Sequence, residues 1–252
     1  MLDISRILNS WEYVTEEVTV RMIEGEDHKP KIQMRLDLGL LQMEYSGRPD
    51  GKQPHGFESL LEYYQHQRQE HIEKMNSEDG FFLDPDDCAS LQHEALQYYY
   101  RYLSLFHLEE YEAVERDTDR NLRVFDFIKK YAEDDEDRYS MEQYRPYVLM
   151  MNSRAAAHRL LEQNHGEEAI LRIEETIARI KNFFSDYGRP EMADKCSEIV
   201  FLNQFVEEIR SRWNTDPVQD LREKMRLAVE KEDYEAAARI RDEIRKRMRG
   251  AH

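Results

Sequence analysis

The chain has 252 residues, 40% of them apolar and 11% aromatic, with 35% charged and a formal net charge of −17 at pH 7. So many aromatic residues exclude a disordered acidic chain, and the acidic balance opposes direct binding of a phosphate backbone, whose affinity comes mostly from Lys and Arg displacing counterions. Two cysteines, Cys88 and Cys196, without a CxxC partner exclude a zinc ribbon or a redox pair and are expected as reduced, buried, small apolar side chains.

The leading segment MLDISRILNSWEY carries Asp3 early and has no long apolar core, so a signal peptide is not expected. No apolar run approaches the ~18 residues of a membrane span, and the expectation is a soluble cytoplasmic protein. A short helix is expected over residues 3 to 9. From 17 to 25, Val18, Val20 and Met22 alternate with polar neighbours, the period of a half-buried strand. Alternation resumes through Ile32, Met34, Leu36 and Leu38, then changes phase at Gly39 and continues through Leu41, Met43 and Tyr45, which predicts a bulge or a bend between two strands.

Residues 46 to 58, SGRPDGKQPHGFE, are rich in glycine and proline and predict consecutive tight turns. Arg48, Lys52 and His55 stand in this loop ahead of the helix that follows, where cations could serve an anion-binding loop or simply be exposed. Beyond it a helix is expected to about residue 76, then helices at about 85–107, 110–132, 141–163, 166–187 and 190–213. Asp84-Pro85-Asp86-Asp87 is a strong start signal. The acidic run 133–137 reads as a separator, Ser140 with Gln143 as a capping box, and Gly166 and Gly188 as helix ends.

Two helix pairs, within 99–125 and 152–180, resemble tetratricopeptide hairpins. In the second, Ala156, Ala157, Leu160, Ala169, Ile173 and Ile177 stand where that repeat needs small packing residues. Val114 and the matching Ala169 are 55 residues apart, well beyond the roughly 34 of that repeat, so the hairpins are TPR-like with longer helices, or an ordinary helical bundle.

Signatures for phosphate-binding, dinucleotide-binding and nucleophile-elbow chemistry are absent, and His66 and His71 are spaced five apart, not the four of a helical zinc pair. No cofactor, metal or catalytic residue is expected, and the place for an activity, as a third alternative, is the 46–58 loop. The tyrosine run in QYYYRYLSLF, 97–106, reads mainly as core and inter-helix contacts.

The end of the chain differs from the rest. From Pro217 to Gly250 ten Lys+Arg face eight Asp+Glu, a balance of +2 that leaves −19 on the first 216 residues. Asp216-Pro217 is expected to open a helix with Leu221, Met225, Ala228 and Val229 as its apolar stripe. EKED, 230–233, is the expected turn, with Asp233 capping a second helix whose face carries Tyr234, Ala237, Ala238, Arg241, Ile244 and Met248. Arg245, Lys246, Arg247 and Arg249 would complement its dipole.

The segment LREKMRLAVEKEDYEAAARIRDEI resembles the UVR motif of the excision-repair proteins UvrB and UvrC. Leu221, Met225, Ala228, Tyr234-Glu235, Ala237, Arg241-Asp242 and Ile244 match the motif's positions; Arg247 departs from its usual final leucine. The resemblance implies an antiparallel helical hairpin that contacts protein, including another such hairpin or a second copy. Similar hairpins occur in regulators of Clp-type proteases and of a bacterial protein-arginine kinase, which also carry zinc-binding cysteine pairs not found here.

The expectation is therefore a mostly α protein: a small N-terminal antiparallel β-element with the glycine-rich loop (1–55), a TPR-like helical body (56–214) and a UVR-like hairpin (215–250). Its expected role is a non-enzymatic bacterial adaptor or scaffold, with no direct nucleic-acid or membrane contact. The alternatives are an accessory of nucleotide excision repair acting through a UvrB- or UvrC-like partner, or a regulator of a Clp-type protease system. Expected partner contacts are Leu221, Met225, Tyr234, Glu235, Ala237, Arg241, Asp242 and Ile244; Arg241-Asp242 is alternatively an internal ion pair.

Overall fold

Alternation at period two becomes a three-stranded antiparallel sheet of order β1-β2-β3 in the computed structural model, which describes residues 3–15, 17–215, 217–230 and 233–249. A short helix α1 (Ser5–Asn9) precedes β1 (Val20–Glu24), β2 (Pro30–Leu36) and β3 (Gly39–Glu44). Leu36 pairs with Gly39, so the phase change is a two-residue turn rather than a bulge. Arg35 holds that turn, its Nη1 donating to the carbonyls of Leu36 and Gly39. Leu38, inward by simple alternation, instead sits at the tip and is 94% exposed.

Ile32, Met34 and Met43 bury one face of the sheet. The other carries a cross-strand polar ladder: Arg21 donates to Gln33 Oε1 at 2.6 and 2.8 Å, and Gln33 Nε2 donates to Gln42 Oε1 at 2.9 Å. Trp11 lies 4.0 Å from the Arg21 guanidinium and Tyr13 5.2 Å from that of Arg35, so the N-terminal segment covers this face. That cover explains why Gln33 is buried on a strand whose polar positions would otherwise meet water.

Beyond the sheet the described residues are mostly helical. A 3₁₀ turn at Pro54–Gly56 leads to α2 (Leu60–Met75), capped by the Ser59 hydroxyl. Then come α3 (Pro85–His107), α4 (Tyr111–Tyr131), α5 (Asp135–Ser140), α6 (Arg145–Glu162), α7 (Gly166–Asp186), α8 (Ser197–Thr215), α9 (Pro217–Glu230) and α10 (Tyr234–Arg249). Asp84 and Asp87 form a reciprocal capping box at α3, with Pro85 in its first turn. α3 and α4 pack as an antiparallel-type hairpin, and Leu83 bridges to Ala132 at its far end.

Three local expectations change. The acidic run does not merely separate helices, because Asp135, Glu136 and Asp137 form the first turn of α5, where carboxylates favour the positive helix end. Ser140 closes α5 and its hydroxyl accepts from Gln92 Nε2 at 2.8 Å, while Gln143 Nε2 donates to the Ser140 carbonyl, so no capping box forms there. The left-handed residue after α6 is Asn164, φ 61°, and Gly166 begins α7; asparagine tolerates that conformation better than other non-glycine residues. Gly188, φ 66°, does end α7.

The chain divides into two compact units, Met1–Arg159 and Leu160–His252. The first contains the sheet and a buried ionic network. The second contains α7 packed on α8, and the pair α9 and α10.

Candidate functional site

In the second unit, α9 and α10 form a closely packed helical hairpin. Its turn is fixed from the α10 side: Asp233 N–H donates to the Ala228 carbonyl at 2.8 Å, and Asp233 Oδ1 accepts from Ala236 N–H at 3.0 Å. Asp233 is therefore the expected N-cap. Asp216, expected to open α9, and Lys231 and Glu232 of the turn lie outside the described residues, as do the side chains of Lys246, Arg247, Met248 and Arg249.

Among the described side chains, small and branched residues carry the burial on this pair. Ala228 and Ala237 are 9% exposed and Ile244 is 7% exposed, while Leu221 and Met225 are half-buried. Alanine at facing positions lets two helices approach closely, which suits a short hairpin with little surface to bury. Ala237 and Ile244, expected as partner contacts, are thus buried positions. Tyr234, expected on the same face, points outward and is 67% exposed, and Val229 is 48% exposed.

Glu235, Arg241 and Asp242 are exposed as well. Arg241 donates through Nε and Nη2 to Asp242 Oδ1 at 3.1 Å, an ion pair between neighbours on the surface. Such a pair adds little stability. Its groups stay within reach of a partner.

Residues 216–246 match the UvrB/uvrC motif, UVR.

The UVR match covers the α9–α10 hairpin and none of the preceding body. UVR is a protein–protein interaction module, not a catalytic one. No curated protein and no solved structure matches the chain. The UVR match thus concerns the terminal hairpin alone.

The glycine-rich loop is organised differently from a free cationic site. Arg48 Nε lies 2.8 Å from Glu94 Oε2, and its Nη1 lies 3.2 Å from Asp50 Oδ2, so its charge is matched by two carboxylates. The Lys52 N–H donates to Asp50 Oδ1 at 3.1 Å while its side chain is exposed. His55, φ 52°, stacks on Tyr63 with centroids 4.0 Å apart. Arg48 thus acts as a tie from the loop to α3.

Glu94 is wholly buried and also accepts from Arg120 Nη2 and from the Leu60 N–H, the latter at 2.9 and 3.1 Å. Burial, with the nearby Arg123 and Arg48 charges, pushes Arg120 down to about 9. Tyr98 lies between the guanidinium groups of Arg120, at 4.0 Å, and Arg101, at 4.8 Å, and burial pushes its hydroxyl up to about 12.

A concave feature of the first unit, about 790 Å³, lies among α3, α4, α5 and the start of α6. Tyr99, Tyr102 and Tyr147 form its aromatic cluster, Tyr99 meeting Tyr102 edge-on at 5.5 Å and Tyr147 at 6.2 Å. The tyrosines of 97–106 are expected mainly as core and inter-helix contacts. Tyr98 and Tyr102 are indeed buried, but Tyr102 also lines this cleft, together with Tyr144, which is 52% exposed. No local signal links Tyr99 to Tyr144 and Tyr147, more than forty residues away.

Among the described residues no His, Cys, Asp and Glu cluster could hold a metal ion, and no helix is long and apolar enough to cross a membrane.

Proposed function

We propose that this protein is a non-enzymatic adaptor or scaffold that docks a protein partner through its UVR hairpin. The observation that carries the reading is the UVR match over a hairpin whose Tyr234 is 67% exposed at the start of α10. Aromatic and arginine side chains dominate binding energy at protein interfaces, and Tyr234 and Arg241 offer both outside the hairpin's own packing. Glu235 and Asp242 supply flanking polar contacts. In this reading residues 215–250 are a docking module carried by the helical body 56–214 and the β-element 1–55, and the partner is another UVR-type hairpin, a second copy or a different protein.

Affinity capture with the full chain and with Tyr234→Asp as baits tests it. A protein retained by the first, lost by the second, and binding again when both are purified supports the reading. Equal retention by both baits counts against the hairpin as the docking element.

A second reading follows from the motif itself, whose name comes from the excision-repair proteins UvrB and UvrC. Here the protein would be a repair accessory that reaches DNA through a UvrB- or UvrC-like partner. The −19 on the first 216 residues argues against direct contact with DNA. Retention of duplex DNA by the purified chain alone at low salt would count against indirect recruitment. A regulator of a Clp-type protease remains the third member of this class of adaptor.

A further inference from the structure

We propose that the tyrosine-lined cleft of the first unit receives the outward stripe of α10 from a second copy of the chain. This deepens the docking reading above and rests on it, naming the partner and the surface that takes the hairpin.

The cleft runs along one helix. Gln92, Ala95, Leu96, Tyr99 and Tyr102 line it at spacings of three, one, three and three residues, a single face of α3. Leu96 and Tyr144 in its wall are 45% and 52% exposed, so apolar surface stands open there. A volume of about 790 Å³ is in the range of sites that hold a ligand or a few side chains.

Its polarity selects the occupant. No lysine or arginine lines the cleft, whereas Glu136 does, within the run 133–137 that carries five carboxylates. Tyr102 is only 1% exposed. Tyrosine faces are rich in negative charge density and attract guanidinium groups, most strongly where water is partly excluded. The cleft therefore suits a helix bearing arginines and an aromatic ring.

The chain carries such a helix. From Arg239 to Arg249 six Lys+Arg stand against two acidic residues, in a protein of net charge −17. Tyr234, Arg241 and Arg245 are exposed and are seven and four residues apart, which places them on one stripe of α10. Among the described residues Arg245 makes no ion pair. Two acidic molecules repel at long range, and joining the cationic stripe of one copy to the acidic cleft of the other opposes that repulsion where they meet. Mutual exchange of α10 between two copies closes the assembly as a dimer.

The test is light scattering on the full chain over a concentration series, with circular dichroism to confirm that each variant is folded. Glu136 and Arg245 are both exposed, so substituting them leaves the packing intact. Glu136→Lys and Arg245→Glu are each expected to raise the dimer dissociation constant about fivefold or more, and both together in one chain to restore it. A wild-type chain that is monomeric throughout overturns the proposal and leaves the hairpin free for a different protein. Association weakened by Tyr234→Asp but indifferent to Glu136→Lys, without rescue, also overturns it while the hairpin docking reading stands. Association indifferent to both counts against the two together.

Discussion

Arg101 of α3 donates through Nε and Nη2 to the two carboxylate oxygens of Asp117 on α4, at 2.6 and 2.8 Å, with both side chains 1% exposed. The remaining Nη1 donates to the carbonyls of Glu44 and Gly47, at 3.0 and 2.8 Å, so one guanidinium joins the helical hairpin to the end of the sheet. Arg116 adds to this joint by donating to Asp117 Oδ1 and to the Tyr45 carbonyl. A planar fork with five donors fits this set, and a lysine would not.

Removing one partner strands a buried charge. Asp117→Ala is expected to destabilise the first unit by about 3–5 kcal/mol, whereas Arg101→Met combined with Asp117→Leu should recover a large part of the loss. Urea unfolding followed by circular dichroism measures both. A loss near zero for Asp117→Ala would contradict the burial of the pair.

Glu78 links α2 to α4, accepting from Lys130 Nζ at 2.8 Å and from Arg68. These hydrogen bonds, that from Lys130 first, pull its carboxyl down to about 2. The ionised form is thus favoured in the folded state. Its stabilisation is fully present above the ordinary carboxylate value near 4.5 and is lost as pH falls through about 2. Glu78→Gln should remove part of the acid sensitivity of unfolding in that window, measured as the slope of the urea midpoint against pH.

Burial, with a smaller contribution from Asp137, pushes the Cys88 thiol up to about 12, and burial also raises Cys196. Since the thiolate is the reactive form, neither cysteine should react appreciably with a disulfide reagent at pH 8 in the folded protein. Two thiols should react at once in urea. Fast labelling without denaturant would show an opening that the buried positions do not suggest.

Tyr234 and Ile244 should separate docking from folding. Ile244→Asp places a charge at a buried position of the UVR hairpin and is expected to lower helix content. Tyr234→Asp is expected to leave the helix content unchanged and lose the partner. Circular dichroism beside a binding measurement distinguishes the two.

At α3, Asp84→Ala removes the side-chain half of the capping box and should cost about 1 kcal/mol. The expected outcome is a fall of a few degrees in the melting temperature of the unit.

The start of α3 was legible because the Asp84 cap, Pro85 and the carboxylates after it lie within four residues. So were the bounds of α3, a small antiparallel sheet, the Asp233 cap and the UVR hairpin, each written in local spacing. Local signals failed where a distant group took a residue for another use. Ser140 was free to cap until Gln92, 48 positions away, engaged its hydroxyl. Arg48 stood among loop cations until Glu94 of α3 matched its charge.

By itself the sequence determined the helical character, the small antiparallel sheet and the identity of the terminal hairpin, because hydrophobic period, caps and motif residues act within a few turns of chain. Only the tertiary structure decided that Arg101 and Asp117 would be buried together, that Arg48 would tie a loop to α3, and that tyrosines of α3 would line a cleft with Tyr144 and Tyr147. Those outcomes depend on which surfaces meet when helices pack. A buried charge or a ring in a cleft takes its properties from neighbours tens of residues away, whose proximity no local pattern records.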